Sequence, residues 1–159
     1  MLDTLGFPLP IYGPVATLRA ANRADPDLIL PIQAERALAE SGVDLRTVDP
    51  AGFYARCERR VARGRTWAVI EQGRLLFKAE MQAVTPEAIY LEGIYAHPDV
   101  RGRGFGVRCL SHLCRKLLRR TDTLCLLVNE QNHAAQQLYR RVGFRAQGNY
   151  DTIFLSNHC

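Results

Sequence analysis

The spacing of apolar and polar residues divides the chain into short elements of changing period. Leu75, Phe77, Ala79 and Met81 alternate with Leu76, Lys78, Glu80 and Gln82, which predicts a strand over 75–84. A second strand, 66–70, precedes it, and Gln72-Gly73 between them signals a hairpin. Thr85-Pro86-Glu87 then turns the chain into a strand over 89–96. The period next becomes helical: Val107, Leu110, Cys114, Leu117 and Leu118 give one apolar face to a helix over 105–119, with Arg119 and Arg120 in its last turn. Residues 123–128 are a continuous apolar run and read as a central, buried strand. Asn132 caps a helix running to Val142 and stopped by Gly143, and strands over 144–146 and 150–155 follow around Gly148.

Upstream the pattern is less regular. Residues 1–14 are rich in Gly and Pro and read as an irregular arm or the tail of a linker, with a short strand over 15–20 after it. Asp25-Pro26 and Asp49-Pro50 each look like a cap followed by proline at the first helical position. They predict helices to about residue 40 and about residue 63, stopped by Gly42 and Gly64 and separated by a polar loop over 41–49. Pro31 should kink the first helix or begin it. The order β-α-α-β-β-β-α-β-α-β-β describes one α/β (α+β) domain over 15–159.

Composition narrows the class of protein. A chain of 159 residues suits one domain with a real core. No apolar run approaches the roughly 18 residues that span a bilayer, so no membrane partner is expected. The start lacks a secretion signal, and the five cysteines show neither C-x-x-C nor metal spacing. Reduced thiols in a cytoplasm, and no metal, are therefore expected. The formal charge is +5, and seven cations with no acid lie between Arg101 and Arg120. Such a surface attracts polyanions. No aromatic–basic motif accompanies it, which argues against nucleic acid.

The organising stretch is Val100-Arg101-Gly102-Arg103-Gly104-Phe105-Gly106, between a predicted strand and a predicted helix. A glycine-rich turn at a helix N-terminus presents unpaired N–H groups and the positive end of the dipole to an anion, best of all a phosphate. The glycines match neither the dinucleotide fingerprint nor the P-loop. They fit Gln/Arg-x-x-Gly-x-Gly/Ala through Arg101, Gly104 and Gly106, behind Tyr95-Ala96-His97-Pro98. Downstream, residues 128–144 read V-N-x-x-N-x-x-A-x-x-L-Y-x-x-x-G-F. Together the two stretches resemble the acetyl-CoA pyrophosphate loop and the second motif of the GNAT acetyltransferase superfamily. Phe77-Lys78-Ala79-Glu80 and Glu40-Ser41-Gly42-Val43 more faintly resemble the GNAT half of bacterial two-domain proteins, which would make the arm the trace of an upstream domain.

The resemblance implies a mixed, twisted sheet of about six to seven strands flanked by four helices. It implies acetyl-CoA as cosubstrate, held by Ile94, Tyr95, Ala96, Arg101, Gly102, Arg103, Gly104, Phe105, Gly106, Val107, Asn132 and Tyr139. Backbone N–H groups over 94–96 would meet the thioester oxygen, and the Tyr139 hydroxyl would protonate the departing thiolate. A phenol titrates near pH 10 and so stays a donor at neutral pH. The resemblance points to Glu92 as general base, placed by alternation on the face of Tyr90, Ile94 and Ala96, with Glu80 or water as the alternatives. The resemblance makes the acceptor an amine, and Asp44 and Asp49 could meet it if cationic. Family members are often dimers. A non-catalytic acyl-CoA-binding module and, further off, a nucleic-acid-binding domain stay open as rivals.

Overall fold

The structure, a computed structural model, describes residues 1–3 and 12–151 apart from the side chain of Glu40. Seven strands form one mixed sheet: β1 (Leu2–Asp3), β2 (Arg19–Ala20), β3 (Thr66–Glu71), β4 (Arg74–Val84), β5 (Ala88–Ala96), β6 (Thr123–Leu126) and β7 (Arg145–Ala146). Among the described residues five α-helices accompany it: α1 (Pro26–Ser41), α2 (Leu45–Val48), α3 (Pro50–Ala62), α4 (Phe105–Leu117) and α5 (His133–Val142). The strand order is β2-β3-β4-β5-β6-β1-β7, antiparallel except for the β5–β6 pair.

Local chemistry accounts for most boundaries. The β3–β4 hairpin turns at Gln72 and Gly73, both with positive φ (51° and 72°), as a tight primed turn requires. The Thr85 hydroxyl accepts from Ala88 N–H (3.1 Å) at the next turn. The Asp49 carboxylate accepts from Gly52 N–H (3.0 Å) to start α3. Asp25 precedes α1, but its carboxylate points back to Arg19 and to Asn22 N–H (2.7 Å) instead of capping the helix. Pro31 lies inside α1, which begins at Pro26.

Several expectations are revised. The loop over 41–49 contains a helical turn, α2, because the Asp44 carboxylate accepts from Arg46 N–H. That makes five helices where four were expected. Leu2 and Asp3 are not an irregular arm: β1 inserts between β6 and β7, with the Leu2 side chain buried. Residues 4–11 of that arm lie outside the described residues. The first predicted strand shrinks to Arg19–Ala20. Helix α4 ends at Leu117, leaving Arg119 and Arg120 beyond it; Arg115 and Lys116 hold the last turn. Tyr150 and Asp151 form no strand, and the rest of the predicted 150–155 strand lies outside the described residues.

The core has two parts, one on each side of the sheet. Helices α4 and α5 cover Val69, Phe77, Ala79, Met81, Ile89 and Leu91. Leu110, Leu113 and Leu117 of α4 are buried there, each contributing about 1.5–3 kcal/mol. On the opposite side α1 and α3 pack Ile29, Cys57 and Val61 against Ala68 and Leu75. Both faces of β4 are therefore covered, including the one carrying Lys78 and Glu80.

Candidate active site

Strands β5 and β6 pair from Ala88↔Thr123 to Leu91↔Leu126 and no further. Beyond Leu91, β5 stays with β4 as far as Ala96, while the chain after Leu126 leaves the sheet. The predicted strand over 123–128 is thus two residues too long, and the difference opens a cleft. Helix α4 begins at the end of β5 that borders this cleft, and α5 packs against α4.

A bulge sets what the far half of β5 presents. Gly93 has φ +59°, and the pairing shifts from Glu80↔Glu92 to Lys78↔Tyr95. The extra residue reverses the alternation. Glu92 shares its face with Lys78, Glu80 and Tyr95, not with Ile94 and Ala96 as uninterrupted alternation predicts. Ile94 packs against the α4 side and Tyr95 against the α1–α3 side.

The bulge also sorts the backbone donors. His97 N–H bonds to Leu76 O (2.9 Å), and antiparallel alternation then directs the polar groups of Tyr95 at β4. Those of Ile94 and Ala96 face the open side. Their carbonyls confirm it: Ile94 O accepts from Arg36 Nη1 (3.0 Å), and Ala96 O accepts from Arg101 Nε (2.8 Å). By this alternation the N–H groups of Ile94 and Ala96 point away from β4, and that of Tyr95 points at it.

The glycine loop fits a phosphate. Gly102 and Gly104 adopt left-handed φ (72° and 74°), with open space where a Cβ would stand. The first bond inside α4 runs from Arg108 N–H to Gly104 O (3.0 Å), so the N–H groups of Phe105, Gly106 and Val107 point out of the helix end. Gly106 has a different task. A Cβ there would lie 3.0 Å from Leu138 Cδ1 and 3.6 Å from Ala96 Cβ, so its lack of a side chain brings α4 close to α5 and β5. Val107 is a core residue, so only its backbone can serve a ligand. Arg101 is held by its Ala96 bond and lies 5.9 Å above the Tyr95 ring.

Tyr139 projects from α5, packed edge-on to Phe144 at 6.1 Å and buried. Among the described residues none hydrogen-bonds its hydroxyl. Burial pushes its pKa upward, opposed by the nearby Arg36 guanidinium. Asn132 spends its side-chain oxygen on Ala135 N–H (3.1 Å), the capping role.

The two carboxylates differ. Glu80 is buried, with Arg60 at 2.7 Å and Lys78 at 3.2 Å, so it is a structural counter-ion out of reach of a substrate. Glu92 is half-buried and lies 3.5 Å from Arg60. Lys78 is fully buried and donates to Gln33 Oε1 (2.7 Å); burial pushes its ammonium pKa down, against the pull of Glu80. Asp44 pairs with Arg46 and Asp49 with Arg56. His97 caps the turn over 98–100, accepting from Asp99 N–H.

Sequence reasoning missed Arg36, Gln33 and Arg60. One signal was available: Lys78 and Glu80, two apart in an otherwise apolar strand, demand charged or polar partners if that face is covered. The described residues include no cluster of metal-ligating side chains. Cys57, Cys109, Cys114 and Cys125 are free thiols. Burial pushes Cys109 up to about 12, leaving it without nucleophilic character. No described helix is long and apolar enough to cross a membrane.

Comparison with known proteins places this geometry. The model of the FR47-like protein family matches residues 73–153, just over half the chain, and covers both the glycine loop and α5. The chain belongs to this family, a branch of the GNAT acetyltransferases. A curated acetyltransferase of Yersinia enterocolitica is 40% identical over 60 residues, which are 37% of this chain and 40% of that protein. A GNAT-family acetyltransferase of Colwellia psychrerythraea superposes on 91% of this chain and 51% of its own, with a TM-score of 0.70 and 16% identity. A predicted acetyltransferase of Clostridium acetobutylicum, solved with acetyl-CoA, covers 86% of this chain and 94% of its own at a TM-score of 0.64 and 18% identity. The chain thus spans about two-fifths of the curated relative and half of the Colwellia protein.

Proposed function

We propose that the chain is an acetyl-CoA-dependent N-acetyltransferase that acts on an amine by direct attack. One observation carries the reading: the β5–β6 pairing ends where Ile94 and Ala96, whose N–H groups point away from β4, the left-handed glycines and the start of α4 come together. The Clostridium structure with acetyl-CoA supports acetyl-CoA as the ligand of that cleft.

In this reading Arg103, Gly104 and the first-turn N–H groups of α4 hold the pyrophosphate. The N–H of Ile94 or Ala96 stabilises the oxyanion as the amine nitrogen bonds to the thioester carbon. Tyr139 gives its proton to sulfur as the carbon–sulfur bond breaks. Glu92, on the α1–α3 face and 3.5 Å from Arg60, takes the proton lost by the amine through a water. The acceptor approaches from the α1–α3 side.

Thermal melts with and without acetyl-CoA test the binding step. A ligand at one hundred times its Kd adds about 2.7 kcal/mol, enough to raise the Tm by several degrees. No shift at saturation, and no heat by calorimetry, would remove the reading. Release of coenzyme A in an amine screen then separates an enzyme from a mere acyl-CoA-binding module.

A further inference from the structure

Six arginines line two adjoining hollows at the end of the sheet away from the cleft. The larger, of about 520 Å³, sets Arg63, Arg65 and Arg120 around Met81, Val84 and Pro86. The smaller, of about 250 Å³, shares Arg63 and Arg65 and adds Arg56, Arg59 and Arg60. Val84 pairs with Ile89 beside the β4–β5 turn, and Ile94 and Ala96 lie five and seven residues further along β5, roughly 17–23 Å away at a strand's rise per residue.

Two of the six are neutralised locally. Arg56 pairs with Asp49, and Arg60 with Glu80 and Glu92. Arg59, Arg63, Arg65 and Arg120 pair with no carboxylate among the described residues. Arg65 donates only to the Gln82 carbonyl (3.1 Å), and Arg120 lies against the Met81 sulfur (3.3 Å). Cations in the last turn of α3 favour the helix dipole, which explains Arg59 and Arg60 in isolation. It does not explain Arg65 from the start of β3, or Arg120 from beyond α4, converging on the same hollow. Gathering guanidinium groups without carboxylate partners this way raises the local positive potential and favours an anion there.

We propose that these hollows bind a small organic molecule bearing two or more phosphate groups, at a site separate from the cleft. Guanidinium forks match phosphate oxygens two at a time. Arg59 and Arg63, about one turn and roughly 6 Å apart at the C-terminal end of α3, are spaced for successive phosphates. The larger volume lies in the usual range for small-molecule sites, about 300–1,000 Å³. Met81, Val84 and Pro86 supply an apolar wall for the organic part of the ligand. No aromatic side chain lines either hollow, so the platform on which single-stranded nucleic acid stacks its bases is missing.

The test is calorimetry with ATP and inorganic tripolyphosphate on the whole chain, beside a short RNA and polyglutamate. The variants are Arg63→Gln/Arg120→Gln, Arg59→Gln as a second probe, and Arg103→Gln at the glycine loop. All four arginines are exposed, and unchanged melting would verify folding. Saturable ATP binding, weakened roughly tenfold by the double variant and by added salt but not by Arg103→Gln, supports the proposal. Loss caused by Arg103→Gln alone would put the phosphates at the glycine loop and overturn it. No saturable binding of ATP, or binding of RNA or polyglutamate alone, would overturn it too.

Discussion

Arg36 donates to the carbonyl of Ile94 across 3.0 Å, tying α1 to the strand that borders the cleft. The same guanidinium lowers the pKa of Tyr139, opposing burial. One side chain thus holds the lip of the cleft and makes the proposed acid a readier donor. Arg36→Met should lower kcat/KM roughly tenfold to hundredfold, the size of a lost charged hydrogen bond. The Tyr139 titration should move to higher pH in the same variant, read by ultraviolet difference absorbance. An unchanged titration would separate the two residues.

Tyr139→Phe removes a hydroxyl and keeps the ring against Phe144. Acetyl-CoA binding by calorimetry should persist, while turnover falls about 10²- to 10⁴-fold. Because burial raises the Tyr139 pKa above 10, the wild type should show no loss of activity from this group as pH rises through 8 and 9. A basic limb in that window would point to a different acid.

Gly104 and Gly106 should respond differently to alanine. Gly104 holds φ +74°, so alanine costs about 1–2 kcal/mol and sets a methyl group in the open space before α4. Coenzyme A affinity should fall with stability. In Gly106→Ala the helix gains about 0.5–1 kcal/mol of propensity, offset by moving the Leu138 methyl 3.0 Å away. Denaturant melts should show little net change there. A large loss at Gly106 would mean Leu138 cannot yield.

His112 accepts Val15 N–H at Nδ1 (3.1 Å), and burial, with Lys116 and Arg115, holds its pKa below 6.5. The unfolded chain therefore takes up this proton first. The stability from neutral His112 is complete above the unfolded value and is lost as pH falls through and below it. The Tm should drop between pH 7.5 and 5.5, and His112→Gln should flatten that slope. An identical slope in the variant would assign it to other groups.

The sequence by itself determined the elements whose signals are local. Gln72-Gly73 between two apolar runs marks a hairpin, Asn132 and Gly143 bracket α5 as written, and the spacing of Val107, Leu110, Cys114 and Leu117 fixes the buried face of α4. The glycine loop was legible for the same reason, since left-handed backbone at a helix start needs glycine. Tertiary structure decided everything that depends on partners. The bulge at Gly93 turned Glu92 away from Ile94, and no alternation rule reveals a bulge before its partner strand is known. The end of β6 at Leu126 is a loss of pairing, invisible in an apolar run that continues to Val128. The first strand found its place only in the folded chain, paired on one side with β6 and on the other with β7. The fates of Lys78 and Glu80 were set by Gln33 of α1 and Arg60 of α3, whereas Asp44 and Asp49 found partners a few residues along the chain, at Arg46, Gly52 and Arg56. A charge in a sequence states what must be neutralised, and only the folded chain supplies the atom that does it.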